Sequence, residues 1–228
     1  SERNEGVMLG GPVYIAMIRY AISLVGTIVL FSLMSESRFD KKNTVIRYAC
    51  FSTVLVSAAC VWYAVDWESS SKTAAIVMYI CFCCFAMYMS SDPIGLSLYK
   101  LALNFYLLAV FLVTGIEVSV LFFNRNVWVD IIVRILLVII ISLFINKKIK
   151  NSIRGFTHYV ETELDRFSVT VMSISILFGI GFVLNPNSQE QTPYHFFQVG
   201  MNFFLTGALQ LLIFRLYMHI GKEKEFQK

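Results

Sequence analysis

Long apolar stretches separated by short polar breaks run through the whole chain, and their lengths predict helices rather than strands. The first stretch, Val13 to Leu33, is longer than a signal-peptide core, lacks a small-residue cleavage site and is followed by the basic SESRFDKKNTVIR. It reads as a retained span. The second runs from Val45 to Val65 and stops at the acidic, aromatic DWESSS, which reads as a turn, and the third runs from Thr73 to Met89. In the next break, SSDPIG, Asp92 and Pro93 have the form of an N-cap and a first-turn proline. A fourth helix then runs from Ile94 to Phe123, longer than a bilayer demands, so it must tilt or protrude. After the short turn NRN, a fifth span covers Val127 to Ile145 and ends in NKKIKNSIR.

Beyond it, Ile153, Phe156, Val160, Leu164 and Phe167 recur at helical spacing among charged residues, predicting a cytoplasmic amphipathic helix over 151–167. A sixth span runs from Ser168 to Leu184, the polar NPNSQEQTP follows, and a seventh runs from Tyr194 to His219. The expected fold is all-α: a polytopic membrane bundle of about seven transmembrane helices.

Composition agrees, since 57% of the 228 residues are hydrophobic and only 15% charged, where a soluble domain carries roughly a quarter. No length remains for a second folded domain. The net charge of +4 matters through its placement and implies no nucleic-acid partner. Arg38, Lys41, Lys42 and Arg47 fall on the same side as Lys147, Lys148, Lys150, Arg154, Lys222 and Lys224, whereas the opposite loops carry Arg125, with Lys72 at a border. The positive-inside rule makes the basic side cytoplasmic, the amino terminus external and the carboxyl terminus cytoplasmic. Trp62, Trp67 and Trp128 then lie at the outer interface. Cys50, Cys60, Cys81, Cys83 and Cys84 all lie within apolar runs and read as small packing residues, the CFCC run included.

Ionisable residues inside a span need a partner, a watery cavity or a route to the interface. By helical rise, Arg19 lies roughly 10 Å and Glu117 roughly 9 Å below the outer surface, with Asp130 and Arg134 at roughly 5 and 10 Å. Gln198 and Asn202 on the seventh span reach similar levels. Two readings of this layer stand. One is a ligand-binding pocket open to the outside, with Glu117 and Arg134 as the expected ion pair and Arg19 meeting an anionic ligand group. The other is an interhelical network that only fixes helix register. Lys100, Arg47 and Arg215, near inner helix ends, are expected to snorkel to the headgroups, and Asn104 to hydrogen-bond another span. Gly179, Gly181, Gly200 and Gly207 suit close helix contacts. His158, His195 and His219 lack companions at ligand spacing, so no metal is expected, and with no catalytic signature the chain offers no catalytic residue and no cofactor site.

The chain closes on FRLYMHIGKEKEFQK, an apolar helix passing into good helix formers. This end, together with PVYIAMIRYAISLVG, SSDPIGLSLYKLAL, SIRGFTHYVETELDRFSV and FFLTGALQLLIFRLYMHIGKEKEFQK, resembles the membrane sensor region of bacterial sensor histidine kinases of the GHKL-ATPase type, relatives of quorum-sensing receptor kinases. The resemblance covers essentially all residues. It implies an extracellular segment at 1–12, a seven-helix sensor domain at 13–219 and the start of a cytoplasmic signalling helix at 220–228. It also implies a homodimer through the C-terminal helix, a small-molecule or peptide signal from outside, and a kinase module outside this chain. A small transporter or substrate-binding membrane component is the alternative, although repeated halves or broken helices are not evident. A structural membrane subunit without a ligand is a third.

Overall fold

The computed structural model describes residues 13–124, 126–149 and 200–212, together with 215 and 219. Among these residues every regular element is helical: α1 (Val13–Met34), α2 (Lys41–Val65), α3 (Trp67–Met89), α4 (Ile94–Phe122), α5 (Val127–Phe144) and α6 (Gly200–Leu212), with a π-helical turn, Ile145–Ile149, closing α5. Four of them, α1, α2, α4 and α5, are long and apolar enough to cross a membrane. The apolar part of α3, Ile76–Met89, and α6 are shorter. The expected amphipathic helix at 151–167 and sixth span at 168–184 lie outside the described residues, and α6 falls within the expected seventh span.

Helix boundaries follow local chemistry. The sequence DWESSS is not a turn: Asp66 alone joins α2 to α3, and its carboxylate accepts the Ser69 backbone N–H at 3.1 Å. An aspartate cap lets the polar residues after it enter the helix, so α3 starts six residues before the run expected from Thr73. The break before α4 also differs from expectation, because Pro93 takes the cap position and no side chain caps the helix. The Asp92 carboxylate turns inward instead. α4 spans 29 residues, roughly 44 Å against an apolar thickness of about 30 Å. Between α4 and α5, Asn124 adopts a left-handed backbone (φ 49°), which asparagine tolerates, and the Asn126 side chain accepts the Trp128 N–H.

Pairings across helices set the topology. α2 and α3 form an antiparallel hairpin, in which Arg47 meets Tyr88, Tyr48 meets Phe85, and the Phe51 and Phe85 rings stack 4.1 Å apart. α4 runs antiparallel to both α1 and α5, since Asn104 reaches Thr27 while Ser119 reaches the Asn126 carbonyl. α1 and α5 are therefore parallel, and two contacts between them keep one offset of 111 positions. The core lies where α1, α3 and α4 meet, with Leu30, Phe31, Met34, Phe82, Met89, Leu101 and Phe111 withdrawn from the surface. Phe31 and Phe82 pack edge to face at 5.8 Å.

At one end of the bundle the α1–α2 and α3–α4 turns are sewn together: Ser37 pairs with Ser90, Arg38 N donates to the Met89 carbonyl at 2.9 Å, and Ser91 N donates to that of Glu36 at 3.0 Å. This is the basic end. The other end carries the start of α1, the α2–α3 joint and the α4–α5 turn, with Trp62 and Trp128 beside it. The cysteines do not act as one class, because Cys83 is buried in the core while Cys81 and Cys84 of the same CFCC run are exposed, as is Cys50.

Candidate functional site

Three of the intramembrane charges meet at the aromatic end. Asp130, fully buried, splits its carboxylate between two arginines. Oδ1 accepts Arg134 Nε at 2.7 Å, one turn along α5, while Oδ2 accepts Arg19 Nε at 2.8 Å and lies 2.6 Å from Arg19 Nη2, across on α1. Arg134 Nη1 also reaches Ser23 Oγ on α1 at 3.4 Å. Each carboxylate oxygen thus takes one guanidinium, the charge-assisted arrangement that makes a buried carboxylate tolerable in lipid. The floor of the junction is Gly115 of α4: a Cβ there would lie 2.6 Å from Asp130 Oδ1 and 3.0 Å from Arg134 Cγ, so only glycine lets α4 approach this closely.

The expected pairing of Arg134 with Glu117 is corrected: the carboxylate Arg134 meets is Asp130. A within-helix pair one turn apart needs no help from helix rotation, and it fixes the guanidinium before α4 is considered. Glu117 is half-buried and lies eleven positions from Tyr106, three helical turns on the same face of α4. That face receives α6, where Tyr106 donates to the Phe203 carbonyl at 2.9 Å and a Cβ on Gly207 would lie 2.6 Å from the Tyr106 hydroxyl. Asn202 lies on α6, half-buried, and Gln198 falls outside the described residues. So Arg19, Asp130 and Arg134 are the predicted site residues shown in contact. Among the described residues a Cβ on Gly200 would meet nothing within 4 Å, whereas Gly26, which the periodicity did not single out, would drive a Cβ to 2.8 Å from Val138 Cγ2 on α5.

A second polar cluster went unrecognised in the sequence. Lys100 does not snorkel; its side chain is 1% exposed and its ammonium lies 2.7 Å from Asp92 Oδ2. The same oxygen accepts Ser90 Oγ at 3.0 Å and Ser35 Oγ, and Ser90 Oγ lies 2.8 Å from Ser35 Oγ and 3.4 Å from Ser97 Oγ. Asp92 looked like a helix cap and Lys100 like a residue near a helix end. The available signal was their combination with Ser97 one turn before Lys100, which places hydroxyl and ammonium on one face of α4. Between the two clusters Asn104 Nδ2 donates to the Thr27 carbonyl at 2.9 Å, the interhelical bond expected of it.

An all-helical chain with four membrane-length apolar helices and a charged junction buried between the first and fifth has the character of a multi-pass membrane protein. No protein-family model, no curated protein and no solved structure matches this chain.

Proposed function

We propose that this chain is the membrane-embedded sensor region of a bacterial histidine kinase of the GHKL-ATPase type, with seven spans, its amino terminus outside and its carboxyl terminus in the cytoplasm. The basic residues gathered at one end, Arg38, Lys41, Lys42, Arg47 and Lys147, support that orientation. The observation that carries the reading is the Arg19–Asp130–Arg134 junction at the opposite end, in which Arg19 keeps 18% of its side chain exposed while Asp130 is sealed. A signal, small molecule or peptide, engages this outer layer from outside. It shifts an equilibrium only through different affinities for two arrangements of the junction. Because α1 and α5 are parallel and in fixed register, a change at the junction moves α5 as a rod against the Gly26–Val138 contact. The motion arrives at the π-helical turn Ile145–Ile149, a local widening of the kind that accommodates helix rotation. From there it passes through the C-terminal helices of a homodimer to a kinase module outside this chain.

The test is a transcriptional reporter of the intact receptor carrying Arg134→Gln, Asp130→Asn or Glu117→Gln. Altered basal or stimulated output at normal membrane levels is expected; unchanged output for all three overturns the assignment of the outer layer. The coding sequence beyond Lys228 gives an independent test, since kinase modules there favour the sensor and a stop codon disfavours it.

A second reading, a small transporter or substrate-binding membrane component, draws on the polar seam that continues from the junction along α1 and α4 through Ser23, Thr27 and Asn104 to Lys100 and Ser35. Solute uptake into proteoliposomes by this chain alone would favour it.

A further inference from the structure

Two groups of described cations contrast. Within the bundle, Arg19 and Arg134 share Asp130, and Lys100 holds Asp92. At the basic end, Arg38, Lys41, Lys42 and Arg47 form no ion pair among the described residues, and Asp40, in the same stretch, does not neutralise them.

Arg47 is nevertheless held in place. Its guanidinium lies 3.9 Å above the Phe39 ring centroid and 5.8 Å from that of Tyr88, and Nη1 donates to the Tyr88 hydroxyl at 2.8 Å. Phe39 and Tyr88 come from the α1–α2 turn and the end of α3, so the arginine is fixed by parts of the chain distant in sequence. An arginine immobilised this way has already lost its rotamer freedom and presents its remaining N–H groups at little further entropic cost. Lys41 and Lys42 stand one turn before Val45 and Ile46, which are 67% and 49% exposed. An exposed apolar stripe runs up α2 from Ile46 through Val54 and Val61, at spacings of eight and seven residues that keep them on one side of the helix, whereas Val45 lies about half a turn round from Val54. The two lysines do nothing for α2 itself, because cations in a first turn oppose the helix dipole and the Asp40 side chain makes no capping bond.

We infer that Arg47, Lys41 and Lys42 form a seat for the phosphate of an anionic phospholipid. The acyl chains lie along the Ile46, Val54 and Val61 stripe of α2, and that apolar stripe beside the cations is what selects a lipid over a soluble anion. Arg47 supplies the fixed, directional donors and the lysines supply charge at headgroup depth. The seat rests at the base of the α2–α3 hairpin and does not depend on what binds at the opposite end.

The experiment is native mass spectrometry of the purified chain extracted from mixed phosphatidylglycerol and phosphatidylcholine bilayers, counting each retained lipid. The unaltered chain should retain phosphatidylglycerol preferentially, and the preference should fall as salt rises. Lys41→Gln with Lys42→Gln leaves the aromatic clamp intact and should reduce the preference, by roughly fivefold per cation removed; adding Arg47→Gln should reduce it again by a similar factor. Tyr88→Phe, which removes only the hydroxyl that positions Arg47, should reduce it less than Arg47→Gln does. Equal retention of the two lipids by the unaltered chain, or an undiminished preference in the triple variant, overturns the proposal.

Discussion

Two carboxylates withdrawn from the surface among the described residues, Asp130 and Asp92, meet the same problem with different results. Asp92 is closed off. One of its oxygens receives an ammonium and two serine hydroxyls, Lys100 is almost without exposure, and the cluster sits where two turns are already stitched by backbone hydrogen bonds. Asp130 is divided. Its two oxygens go to arginines on two different helices, and one of those arginines stays partly open to the end of the bundle. A cluster whose cation is sealed stabilises one arrangement, whereas a carboxylate shared between two helices, with one cation accessible, can be rearranged from outside. The comparison separates a joint from a candidate switch.

The largest expected effect sharpens the sealed side. Asp92→Ala strands a buried ammonium and should cost about 3–5 kcal/mol, measured by unfolding in mixed micelles. Adding Lys100→Met should recover much of that loss; if the double variant is as unstable as the single one, the pair is not the source of stability. Asp130→Asn should cost less, about 2–3 kcal/mol, because the amide oxygen can still accept from Arg134, which stays buried, and Arg19 retains access to solvent and headgroups. A loss equal to that of Asp92→Ala would break the distinction drawn between the two sites. Gly115→Ala, pressing a methyl group onto Asp130 Oδ1, should destabilise by about 1–3 kcal/mol and loosen Arg134. Asn104→Leu, between the clusters, should cost only about 0.6 kcal/mol, the usual worth of one interhelical hydrogen bond in lipid. A much larger value would mean that the seam is a unit and the two ends are coupled.

Much of the fold was legible because lipid leaves the backbone little choice: a long apolar run must satisfy its own hydrogen bonds as a helix. The predicted first span ends one residue short of α1, and the predicted fourth exceeds α4 by one. The start of α3 was misread because polarity suggested a loop, while a single capping aspartate was enough to continue the helix. The candidate site was half legible. Arg19, Asp130 and Arg134 were expected in one layer, and the three do meet, but depth is only the axial coordinate of a helical residue.

The sequence alone therefore determined which stretches are helical, roughly where each ends, and at what level each charge lies, because these depend on backbone hydrogen bonding and on rise per residue. The tertiary structure decided which charges touch: that Arg19 and Arg134 share Asp130, and that Lys100 turns inward to Asp92. Those choices depend on the rotation of each helix about its axis, and helices apolar around most of their circumference carry no stripe strong enough to fix that rotation before they pack.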